Sequence, residues 1–246
     1  MVFLNIIHCV SQFFEGLAAI TANEKDGYID INGNEVITPT YNDARSFSEG
    51  LAAVKIKGKY GFINQNNEIV IKPAYDDVWQ FSNGLAAVKK GKKWGFIDQT
   101  GKLVIKCTIE NIRGGFTPEG YCRCSANDRC YFINREGKTV FDDGWYNADD
   151  FKYGVAKVIK PNGQGKYGWI NTEGKLIVKY KKGVSYVDED GFIIYSSTYN
   201  STDTVYDLNG KELLTGYDSI HYGEGYFTLI KNNYLTIVDK DLNAVF

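Results

Sequence analysis

Histidine, methionine and proline are scarce: two, one and four among 246 residues. His8 and His221 are the sole imidazoles, and neither has a Ser, Cys or carboxylate at a spacing that pairs a nucleophile with its base. An enzyme is therefore not expected. Excess charge of one sign is also missing, since 28 basic side chains face 30 acidic ones, which excludes the footprint of a nucleic-acid binder. No window approaches the roughly 18 uninterrupted apolar residues of a membrane helix, so no membrane partner is expected. Residues 1–10, MVFLNIIHCV, are apolar but lack a preceding basic residue and a small-residue cleavage site, so they read as structure and not as a signal peptide. No G-x-G-x-x-G or G-x-x-x-x-G-K-S/T pattern stands between a strand and a helix, and no cofactor is expected. Five cysteines form an odd count in a chain large enough to fold without staples; a disulfide framework is not implied, and a reducing cytoplasm fits.

What is abundant is aromatic and glycine: 18 Tyr, 14 Phe and 26 Gly suit many short strands joined by tight turns. The chain is organised by repetition. FFEGLAAI, FSEGLAAV and FSNGLAAV align without gaps from Phe13, Phe47 and Phe81. The series of marker glycines continues as Gly16, Gly50, Gly84, Gly120, Gly154, Gly191 and Gly225, spaced by 34, 34, 36, 34, 37 and 34 residues. Seven such units account for the whole of residues 1–246, read as a single repeat domain.

About ten residues after each marker comes a second motif, seen as KYGFINQNNEIVIKP from Lys59, KWGFIDQTGKLVIK from Lys93 and KYGWINTEGKLIVK from Lys166. Within it an Asp or Asn precedes Gly by three places at Asp30/Gly33, Asp98/Gly101, Asn134/Gly137, Asn171/Gly174 and Asp207/Gly210, with Asn64/Asn67 as a variant. An Asx side chain bonds the backbone two residues on and Gly accepts positive φ, so these are hairpin turns. Through Lys93-Trp94-Gly95-Phe96-Ile97-Asp98, Lys59-Tyr60-Gly61-Phe62-Ile63-Asn64 and the preceding Gly-Leu-Ala-Ala-Val, the units resemble the WG-repeat family, also called KWG repeats. The likeness is strong in the first three units and the fifth, and weak where Cys130-Tyr131, Asp203-Thr204 and Leu235-Thr236 replace the aromatic-Gly pair. What this resemblance implies is a bacterial β-repeat protein of mainly non-enzymatic role, with no active-site residues to carry over.

Four short strands fit one unit, in the third copy residues 75–81, 85–89, 94–98 and 102–106, and helices have no room. Small residues after the marker glycine (Ala52/Val54, Ala86/Val88) beside bulky neighbours suit wedge-shaped blades with the small-residue strand innermost. The last unit ends before an equivalent of residues 75–81, and Ile7, Val10 and Phe13 fall where Tyr75, Val78 and Phe81 fall relative to their marker. The expectation is an all-β, seven-bladed propeller closed by residues 4–14 pairing with the sheet of residues 225–246. The alternative is an open superhelical stack of β-hairpins.

Cys107, Cys122, Cys124 and Cys130 have metal-ligand chemistry, because four thiolates can hold zinc. Yet C-x-C is too tight a spacing, and all four stand where sister units have Pro73, Ala86, Val88 and Trp94. Buried thiols and no metal are expected. Trp79 stands where other units have Ser11, Arg45 and Asp149, which points to a solvent-facing contact aromatic. Tyr60, Trp94 and Tyr167 recur at one place and are either blade packing or a stacking platform. Two readings follow. One is a non-catalytic scaffold for another protein; the alternative is a propeller that binds carbohydrate or a small molecule through that recurring aromatic.

Overall fold

The computed structural model describes residues 7–160, 165–197 and 202–245, and side chains from residue 10 onward apart from 142 and 143. The side chain of His8 and residues 4–6 of the anticipated closing strand lie outside that description. Every described regular element is a β-strand paired antiparallel; among the described residues there is no helix, and so no helix long and apolar enough to cross a membrane.

The third repeat shows how sequence becomes sheet. Asp77–Val78, Leu85–Lys90, Lys93–Asp98 and Leu103–Ile109 lie side by side in chain order. Asn83 and Gly84 both take positive φ (51° and 80°), so a two-residue turn folds the first strand onto the second, and Ser82 N–H donates to Leu85 O at 2.9 Å. Between the third and fourth strands, Asp98 Oδ1 accepts from the N–H groups of Thr100 and Lys102, both at 3.0 Å, while Gly101 sits at φ 84°. That Asx turn recurs in all seven repeats, at Asp30, Asn64, Asp98, Asn134, Asn171, Asp207 and Asp239. The seventh has no glycine: Leu242 takes φ 68° instead.

The glycine after the motif aromatic has a different task. A Cβ on Gly95 would lie 2.4 Å from Ile105 O and 2.8 Å from Cys107 N, and Gly27 and Gly61 are covered in the same way by Ile37 O and Ile71 O. The cause is a bulge. Trp94 pairs with Ile109 and Phe96 with Ile105, so Lys106, Cys107 and Thr108 arch over the single residue Gly95.

Alternating side chains then pack sheet on sheet. Leu51, Ala53, Tyr60, Phe62, Ile71 and Tyr75 of the second repeat meet Val78, Phe81, Ala86, Val88 and Ile97 of the third, with the Phe62 and Phe81 rings edge to face at 5.0 Å. Tyr28–Phe47 at 4.9 Å and Phe96–Phe116 at 4.9 Å repeat the contact, each worth roughly 0.5–1.5 kcal/mol beyond its buried area.

The chain divides into two compact units, one of Met1–Cys124 with Asn134–Lys138, the other of Ser125–Ile133 with Thr139–Phe246. The first holds repeats one to three and the opening of the fourth. In the second, Arg129–Ile133 pairs with Thr139–Trp145, and the seventh repeat forms a sheet of Ser219–Gly223, Tyr226–Lys231 and Tyr234–Asp239. Repeats five and six share one seven-stranded sheet, because Leu176–Val187 serves both. The reason is a shorter bulge: Tyr167 pairs with Lys181 and Trp169 with Val178, leaving just Lys179 and Tyr180 to arch over Gly168.

Two expectations are corrected. Ile7–Val10 pairs with Leu17–Ala22 in the first sheet (Val10 opposite Ile20), not with residues 225–246, because the Glu15-Gly16 turn at φ 53° and 83° folds it onto its immediate successor. The small-residue strand is second of four and not an edge: the short strand at Asp77–Val78 flanks it.

Candidate functional site

One position has the same backbone geometry in repeat after repeat and a side chain that varies among Ser, Arg, Trp and Asp. The N–H of Ser11, Arg45, Trp79 and Arg113 donates to Ala19, Ala53, Ala87 and Arg123 O at 2.8–2.9 Å, and in the second unit Asp149 does so to Lys157 O at 2.8 Å. The ladder fixes the place and leaves the chemistry free.

Around Trp79 the side chains interlock. Trp79 is half-buried and stands edge-on to Trp94, with ring centroids 6.4 Å apart, so the solvent-facing expectation holds for part of the ring alone. Lys89 Nζ lies 5.4 Å from the Trp94 ring centre. Arg45 stacks on Tyr60 at 4.7 Å and pairs with Asp77 at 2.8 Å, and its Nη1 donates to Val78 O. Arg45, Trp79, Gln80, Ser82 and Gly115 line a cleft of about 360 Å³. Ser82 Oγ and Asn83 Nδ2 both donate to Phe116 O, at 3.0 and 2.6 Å, which fixes the rim.

The recurring aromatics are less open than Trp79. Tyr60 is 5% exposed and Trp94 8%. Lys55 Nζ covers the Tyr60 ring at 5.0 Å, and the Tyr60 hydroxyl donates to Asp43 Oδ2 at 3.0 Å; burial pushes that phenol's pKa up. Tyr167 is half-buried beneath Lys157 Nζ at 5.6 Å. A cation over each ring occupies the surface a sugar would stack on.

The cysteines do not converge on one point. Cys122 and Cys124 are buried on one face of a strand with sulfurs 4.0 Å apart, and Cys130 is buried opposite Trp145. Cys107 is half-buried, its thiol pKa raised by burial, and its sulfur faces Val88 O at 3.9 Å. Among the described residues no group of three or more His, Cys, Asp or Glu is arranged to hold a metal ion. The structure also brings together a pair that spacing did not suggest: His221 Nε2 lies 2.9 Å from Ser219 Oγ on an exposed strand, with no third side chain orienting the ring among the described contacts. The Arg45–Asp77 clamp was missed as well; its signal is that Arg45 recurs in register with Trp79 one repeat on.

The family profile described as "WG containing repeat" matches residues 27–60, 60–94 and 94–129. These segments are WG repeats. In them the glycine of the name is the residue under the bulge, and the aromatic is the ring beneath the cation. Among solved structures, the chain is similar to one described as "Crystal structure of the eukaryotic initiation factor", at 11% identity and TM-score 0.56, over 100% of this chain and 77% of that chain. It is also similar to Hsv2p of Kluyveromyces lactis, at 9% identity and TM-score 0.44, over 97% and 95%. No curated relative matches the sequence. These neighbours are β-propeller-like, and the first likeness is one of fold alone. A repeated WG β fold suggests a binding or scaffold role.

Proposed function

We propose that the chain is a non-catalytic scaffold whose seven WG units act as propeller blades and dock another protein at the Trp79 cleft. The observation that carries this reading is the row Ser11, Arg45, Trp79 and Arg113: one backbone ladder presents three kinds of side chain at four places, the largest of them half-exposed beside a cleft. A partly exposed Trp next to an Arg is the composition of an interface anchor. Sugar binding at Tyr60 and Trp94 is disfavoured, because both rings are buried and capped by cations.

The test is quantitative capture from the native host with the wild-type chain and Trp79→Ala, circular dichroism confirming equal folding. A hot-spot Trp is worth about 2 kcal/mol or more, so its partner should weaken by roughly thirtyfold. An unchanged set of captured proteins overturns the docking site. Turnover of a substrate that survives Trp79→Ala overturns the non-catalytic reading.

A further inference from the structure

The shortened bulge of the fifth repeat has a chemical result. In repeats one to four, the residue opposite the motif aromatic or its counterpart is Tyr41, Tyr75, Ile109 and Trp145, all buried at 0–8% exposure. In the fifth, the missing bulge residue brings Lys181 to that place, opposite Tyr167. A lysine thus stands at an apolar seam. Its ammonium donates to the Tyr206 hydroxyl and lies 5.4 and 5.1 Å from the Tyr195 and Tyr206 ring centres. Among the described residues no carboxylate pairs with it. Asp203, two strands away in the sheet, accepts from Ile220 N–H at 2.8 Å.

The sixth repeat opens space beside this charge. Asp203-Thr204 stands where the third repeat has Trp94-Gly95, as the pairing of Asp203 with Tyr217 shows, so no large ring fills the place. What remains is a cleft of about 440 Å³ lined by Lys181, Lys182, Tyr195, Ser197, Thr202, Thr204 and Thr215. The Thr204 and Thr215 hydroxyls meet at 3.3 Å, and the Tyr195 hydroxyl donates to Lys182 O. An ammonium group and several hydroxyls, in a hollow within the size range of ligand pockets, complement an oxyanion with several acceptor oxygens.

We infer that this cleft binds the phosphoryl group of a small phosphorylated ligand, with Lys181 as the principal charge and the Thr204, Thr215 and Ser197 hydroxyls as donors. The site is separate from the Trp79 cleft and does not depend on it.

The experiment is titration of the full chain with inorganic phosphate at low salt, followed by calorimetry and by amide NMR shifts at residues 181–182 and 202–215, with acetate as control. Wild type should bind phosphate saturably and acetate far more weakly. Lys181→Met should bind at least tenfold more weakly while melting at or above the wild-type temperature, since it restores the apolar residue of the sister repeats. Thr204→Val should weaken phosphate binding by a smaller factor. Phosphatidic-acid vesicles form a second arm: tighter binding than free phosphate, lost in Lys181→Met, assigns the phosphoryl group to a lipid headgroup; weaker binding assigns it to a soluble ligand. Absence of saturable phosphate binding overturns the inference. So does a Lys181→Met variant that binds as wild type, or one that loses stability, since that outcome makes Lys181 a structural residue.

Discussion

Replacing Gly95 by alanine sets two physical effects against each other. Gly95 does not occupy the left-handed region, so intrinsic preference alone favours alanine in a strand by about 0.5–1 kcal/mol. Sterics oppose it. The added carbon would meet Ile105 O at 2.4 Å, Cys107 N at 2.8 Å and Lys106 C at 2.8 Å, all backbone atoms with no rotamer to yield. Overpacking of this kind costs roughly 1–3 kcal/mol, and each ladder bond lost as the bulge lifts adds about 1 kcal/mol. The net expectation is a loss of about 2–4 kcal/mol, or roughly 5–15 °C in the melting midpoint of a chain this size. Gly58→Ala is the control, since nothing lies within 4 Å of that position and its φ of +83° leaves a left-handed cost of about 1–2 kcal/mol. The fourth repeat supplies the rescue. Tyr131 stands in the place of Gly95, and the arching segment opposite carries Gly144 at φ 67° where the third repeat has Thr108. Gly95→Ala combined with Thr108→Gly should therefore recover part of the loss in thermal and guanidinium melts. A single Gly95→Ala variant that melts at or above wild type would refute the account of the motif glycine.

Phe81→Ala should cost about 3–5 kcal/mol, because the ring is 1% exposed and packs on Phe62, whereas Phe13→Ala, at the same repeat position but 44% exposed, should cost far less; paired chemical melts compare them directly. The carboxyls of Asp30, Asp98 and Asp239 are held below the usual carboxylate range, first by side-chain bonds from Asn34, Thr100 and Asn243. Their folded pKa values lie below the unfolded ones, so this stabilisation is present above about pH 4 and is lost as pH falls through the lowered values. Asn at all three positions, the residue already used at Asn64, Asn134 and Asn171, should flatten the acid limb of a melting-temperature-against-pH profile, and an unaltered limb would count against the turns as its source.

The repeat period, the four-stranded sheets of the first, third and fourth repeats and six of the seven Asx turns were legible because each rests on local chemistry. The seventh turn escaped notice because Leu242 does the work glycine does elsewhere. The partner of the first strand was legible too, but the signal lay in Glu15-Gly16: two consecutive residues at positive φ commit a strand to its successor. Counting repeats from the marker glycine concealed this, since it places the cut inside a hairpin. Trp79 was placed at the right register, and what sequence could not show is that Trp94 of its own repeat shields one edge. Tyr60 and Trp94 were left between packing and stacking because their burial depends on long-range neighbours and on cations above the ring. Lys181 had a readable trace, the compressed KYKK where the second repeat has KPAY, but its meaning depends on pairing register.

The uninterrupted strand Leu176–Val187 limits how this array can be edited. Tandem proteins lengthen and shorten when recombination copies or excises whole modules at their borders, and such a border must be a place where the hydrogen-bonded ladder pauses. Between the fifth and sixth modules the strand runs on without a turn, Leu176–Lys182 pairing with Lys166–Asn171 and Gly183–Val187 with Ile193–Ser197, so the one place that cuts neither ladder is the Lys182–Gly183 bond. A crossover away from that bond leaves a broken ladder on each product. These two modules should therefore separate cleanly at one peptide bond alone.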